Sequence, residues 1–167
     1  MKQISILPAV LLAASSVLNA QTAPPQASPK VAPAMSTSGA FFALSVPDLE
    51  ASSKWYAEKL GLKTVMHVPH AGKVAVTVLE GGGLIVELIQ NDDAVTLATA
   101  APSVKSTYLV HGIFKSGIIV DRYEETLATL RARGVEFALG PFPARDGQRA
   151  NVIIRDNSGN MIQIFGK

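Results

Sequence analysis

The sequence predicts an α+β protein built from two copies of one β-α-β-β-β unit. Three observations carry this reading. Short runs alternate apolar and polar residues, as half-buried strands do. Two segments have helical spacing, each opened by an aspartate and closed by a glycine. The same features then recur in the same order. Val46 corresponds to Val120, Gly61 to Gly134 and Glu87 to Gln163, at offsets of 74, 73 and 76 residues. Offsets this constant mark an internal duplication.

The first residues are set apart from that repeat. MKQISILPAVLLAASSVLNA has one positive charge at Lys2, then an apolar run, then small residues. That is the layout of a secretory signal peptide over residues 1–20, with cleavage expected after Ala20. The apolar run holds Ser15, Ser16 and Asn19 and is short of the ~20 residues a membrane span needs. Residues 21–38, QTAPPQASPKVAPAMSTS, are rich in Pro, Ala and Ser and lack apolar periodicity. They are expected to form a flexible tether. The folded part is expected to start near Gly39.

From there the elements follow one another. FFALSV alternates two faces and is a strand, ended by Pro47. Asp48 is placed to cap a helix over LEASSKWYAEKL, and Gly61 to stop it. KTVMHVPH and VAVTVLE are strands joined by a turn at Ala71 and Gly72. The glycines at 81 to 83 read as a tight turn, since they lack the GxxxxGK[ST] context of a phosphate loop. LIVELIQ completes the first unit, which spans 39–91. A polar, alanine-rich connection follows, with a short helix before Pro102. The second unit, 112–167, repeats the order. GIFKSGIIV is a strand, Asp121 is placed to cap RYEETLATLRAR, and Gly134 stops that helix. VEFALGPF is a strand whose prolines suit a sheet edge. RANVIIRD and MIQIF are strands around an NSGN turn.

Composition excludes several functions. The chain has 167 residues, 48% of them hydrophobic and 17% charged, with a formal charge of +2. No block of Lys and Arg stands out, so nucleic acid is not an expected partner. There is no cysteine, which excludes disulfides, thiolate nucleophiles, zinc–thiolate sites and a lipid-modified N-terminus.

FFALSVPDLEASSKWYAEKLGL, GGLIVELIQ, GIIVDRYEETLATLRARGVEF and RDNSGNMIQIF together resemble the glyoxalase/bleomycin-resistance/dioxygenase superfamily, also called vicinal oxygen chelate. The resemblance covers nearly all of 39–167. It implies two βαβββ modules whose eight strands form a cupped mixed sheet, with helices outside. It also implies a metal held on the concave face by His, Gln or Glu, one from the first and one from the last strand of each module. Counted from the valine before each helix, those positions are Phe41 and Lys115, then Glu87 and Gln163. Strand alternation adds Ser45 to the same face as Phe41.

This set departs from the implied pattern. Phe41 has no lone pair to give, and a protonated lysine has three donors and no acceptor. Only Glu87 and Gln163 remain, and hard cations want more oxygen ligands than two. The expectation is therefore no metal, with Glu87, Lys115, Gln163, Phe41 and Ser45 as ligand-binding candidates and no catalytic residue assigned. Glu87 and Lys115 are also expected to pair if they face one apolar bowl, because unpaired burial of charge is costly. His67 and His70 are expected on opposite faces of a strand, and His111 at a strand entry. A shift of His111 inward is the main route by which a metal could return.

The expected function is an exported protein, periplasmic or secreted, that binds a small polar-headed organic molecule in its cup. A homodimer is admitted, and no membrane partner is expected once the leader is gone. The alternative is a metal-dependent lyase, isomerase or dioxygenase of the same superfamily. A partner-binding module is a third class that fold alone does not exclude.

Overall fold

The computed structural model describes residues 41–167, so the expected leader and tether lie outside the described residues. The first module contains β1 (Phe41–Ser45), α1 (Leu49–Trp55, continued by a wider turn over Tyr56–Leu60), β2 (Lys63–Ala71), β3 (Val74–Gly81) and β4 (Leu84–Asn91). The connection carries α2 (Leu97–Ala100) and a short 3-10 turn at Thr107–Leu109. The second module contains β5 (Ser116–Val120), α3 (Tyr123–Ala132), β6 (Glu136–Phe142), β7 (Asn151–Arg155) and β8 (Met161–Gly166).

All eight expected strands are present. They form two hydrogen-bonded sheets of four, in the orders β1-β4-β3-β2 and β5-β8-β7-β6. In each sheet the first strand of the module lies parallel to the last. Every other pairing is antiparallel. Proline-containing β6 is an edge strand, as expected.

The duplication is visible in the register. Ala43 lies opposite Glu87 on β1 and β4, and Gly117 lies opposite Gln163 on β5 and β8. On their other sides Glu87 meets Val78 and Gln163 meets Ile153. Glu87 and Gln163 thus hold equivalent places, each between a small residue and a β-branched one.

Alternation sorts each sheet into two faces. Val86, Leu88, Val152, Ile154, Ile162 and Ile164 are buried and share one core with Tyr56 of the first helix and Leu127 and Leu130 of α3. The opposite faces are open: Phe41, Ile85 and Ile119 are exposed.

Both helices end as the glycines require. Gly61 and Gly134 have φ of 75° and 67°, the left-handed region that glycine enters without a Cβ clash. Asp48 caps α1 by accepting from Ala51 N at 2.9 Å. The second expected cap is not made. Helix α3 begins at Tyr123, with Arg122 in the capping place, while the Asp121 carboxylate takes Lys167 Nζ at 3.2 Å instead.

The modules are joined through Tyr56. Its hydroxyl donates to Asp156 Oδ2 at 3.0 Å, and both residues are buried. Burial, the Asp156 charge and the hydrogen bond push this hydroxyl far above the ordinary tyrosine range. Above about pH 10 an unfolded tyrosine sheds its proton, whereas native Tyr56 keeps it. The native state then holds more protons than the unfolded state, so stability falls with rising pH, by up to about 1.4 kcal/mol per unit from this group. Thermal melts through the alkaline range should show a shallower decline for Tyr56→Phe than for wild type. Equal slopes would contradict this account of Tyr56.

Candidate functional site

Glu87 stands half-buried on the open face of the first sheet. Alternation puts Ile85 and Ile89 beside it on β4, and pairing puts Val78 and Ala43 on its flanks. Among the described residues its carboxylate has neither an ion pair nor a hydrogen bond. Gln163 has the matching place on the second sheet, with its amide nitrogen engaged: Nε2 donates to Asn151 Oδ1 at 3.0 Å. Ser45 is exposed at the end of β1.

Lys115 is not on a strand. The expected strand over 112–120 begins only at Ser116, paired with Ile162. Strand β8 starts at Met161, directly after the turn that leaves β7, so β5 has no partner backbone much beyond that point. Lys115 is exposed, and its ammonium lies 5.7 Å from the centre of the Phe114 ring. Phe114 in turn packs edge-on against Tyr108, with ring centres 6.0 Å apart.

The expected Glu87–Lys115 ion pair does not form among the described ion pairs. The two belong to different modules, and Lys115 sits in water rather than in a closed bowl. An exposed ammonium has no burial cost to recover by pairing.

The candidates therefore divide. Phe41 and Lys115 line one cleft of about 420 Å³ between β1 and the segment entering β5. Ser116 lines it too, and its hydroxyl is shielded from water with no hydrogen-bond partner. Sequence reasoning passed over Ser116, because a serine at a strand start carries no signal of its own. Glu87, Gln163 and Ser45 do not line this cleft.

The histidines depart from their expected places. A register shift between Val68 and Ala71 breaks the alternation of β2. His67 and His70 consequently line the same cleft, of about 880 Å³, beside the start of α1. His67 Nδ1 lies 3.0 Å from Thr77 Oγ1, and His70 Nε2 lies 2.9 Å from Asp92 Oδ1. His111 is exposed in a bend ahead of β5. No cluster of three or more His, Asp or Glu able to hold a metal occurs among the described residues.

The fit to a family metal is poor at two of the four implied positions. Phe41 and Lys115 offer no lone pair to a cation. Glu87 and Gln163 stand on separate sheets, although the Gln163 Nε2 bond to Asn151 leaves its Oε1 free.

Several solved structures share this architecture. A glyoxylase/bleomycin resistance protein/dioxygenase domain from Frankia sp. EAN1pec superposes with a TM-score of 0.59 at 19% identity, over 80% of this chain and 98% of that one. A glyoxalase family protein from Enterococcus faecalis gives 0.58 at 20% identity, over 78% and 96%. TnmS3, an antibiotic binding protein from Streptomyces sp. CB03234, gives 0.53 at 19% identity, over 81% and 98%. At such identities the likeness speaks for the fold alone. No curated protein matches the chain. The family model of the Glyoxalase/Bleomycin resistance protein/Dioxygenase superfamily matches residues 40–164, and with that match the chain belongs to this superfamily.

Proposed function

We propose that this chain is an exported, small-molecule-binding member of the superfamily that works without a divalent metal. The observation that carries the reading is the state of the four implied ligand positions. Two hold side chains with no lone pair to donate, and the other two stand on separate sheets and line none of the described clefts. What remains is apolar surface with a few polar groups, the composition of a site that binds organic molecules. A structural relative described as an antibiotic binding protein is compatible with binding in place of chemistry. Export rests on the leader layout of residues 1–20, and places the protein in the periplasm or outside the cell.

Melting of the purified mature protein tests the metal part. A cation bound to the native state at a hundred times its Kd would add about 2.7 kcal/mol, a shift of several degrees. We expect no shift with zinc, nickel, manganese or iron(II), and none with a chelator. A shift of several degrees with any of these would move the metal-dependent enzyme ahead.

A further inference from the structure

We infer that the cleft between β1 and the segment entering β5 takes an organic anion with a flat apolar body. The inference rests on the small-molecule-binding reading and names the ligand's chemical class. Three observations converge on one place. The described lining contains no Asp or Glu, and its single charge is Lys115. That ammonium has no carboxylate partner among the described residues, only the face of Phe114. The rings of Phe41, Phe42 and Phe114 line the same cleft.

The Lys115 ammonium is a free donor for an anionic oxygen. Hydrogen bonds to a charged acceptor are shorter and stronger than neutral ones. The remaining wall is largely apolar, with Phe41, Leu44 and Met161, and carries the neutral polar residues Thr107 and Asn160. Ile113, at 96% exposure, and Phe41, at 64%, stand uncovered at the cleft. A volume of about 420 Å³ suits a molecule of one or two fused rings. A cation would meet Lys115 head-on. A small inorganic anion would leave the aromatic wall unused.

Two probes of the same skeleton test this. One is the anionic 8-anilinonaphthalene-1-sulfonate, the other the neutral N-phenyl-1-naphthylamine, each titrated by its fluorescence. Wild type should bind the anionic probe about tenfold more tightly than the neutral one, the size of effect expected for a charge-assisted contact. Lys115→Met should erase that preference by weakening the anion alone, and Lys115→Arg should keep it. Phe41→Ala should weaken both probes. Lys63→Met, on edge strand β2, should change neither. Because Lys115 is exposed and outside the strands, its variants should melt with wild type.

If the anionic probe binds Lys115→Met as tightly as wild type, the inference is wrong. If both probes bind wild type equally and Phe41→Ala loses both, the binding reading stands and the anionic class falls. If neither probe binds, both fall together.

Discussion

Asp156→Ala should lower stability by about 3–5 kcal/mol, because it strands one buried and three part-buried donors at once. The Asp156 carboxylate accepts from Tyr56 Oη at 3.0 Å, Ser158 N at 2.9 Å, Asn160 N at 2.8 Å and Asn160 Nδ2 at 2.9 Å. It is 4% exposed, and Tyr56 is fully buried. Water cannot replace the carboxylate at Tyr56 without opening the core. The turn would also lose the groups that hold its backbone, and with it the Ser52–Ser158 contact at 3.2 Å. Tyr56→Phe removes a single donor and leaves the carboxylate three others, so about 1–2 kcal/mol is expected. Urea unfolding of both variants and the double variant should show strong coupling. A loss below about 1 kcal/mol for Asp156→Ala would contradict a fastening role.

Leu88→Ala and Ile164→Ala should each cost about 2–5 kcal/mol, since each empties a filled place in the shared core. Leu88 is fully buried and Ile164 is 2% exposed. Ile85→Ala and Ile119→Ala, on the opposite faces of the same sheets, should each cost less than about 1 kcal/mol. Ile85 is 38% exposed and Ile119 62%. Unfolding midpoints of the four variants give the comparison directly. Equal losses on both faces would mean that the open faces are packed against something in solution.

These faces were legible in the sequence because a strand's side chains alternate whatever surrounds it. The duplication was legible for the same local reason: two valines, two glycines and a Glu/Gln pair recur at near-constant spacing. The start of β5 was not legible. The period of two runs on through Ile113 and Lys115, but a strand also needs a partner, and β8 begins only at Met161. Asp121 looked like a helix cap, and its engagement by Lys167, 46 residues on in sequence, is a tertiary event. The Glu87–Lys115 pair failed for a further reason. Alternation says which face a side chain takes within its sheet, but not how two sheets stand to each other. In the sequence the DNSGN segment shows only a turn. Its aspartate also fastens the first helix, which no local pattern discloses.

The chemistry at the implied metal positions depended least on any of this. Phe41 has no lone pair in any conformation, and Lys115 has none while it is protonated. The most direct measurement is therefore the divalent metal content of the mature protein, purified without chelator and assayed by elemental analysis. The account predicts well below one ion per chain, with no gain after incubation in zinc, nickel, manganese or iron(II) and desalting. One tightly held ion per chain, lost in Glu87→Ala or His111→Ala, would contradict it.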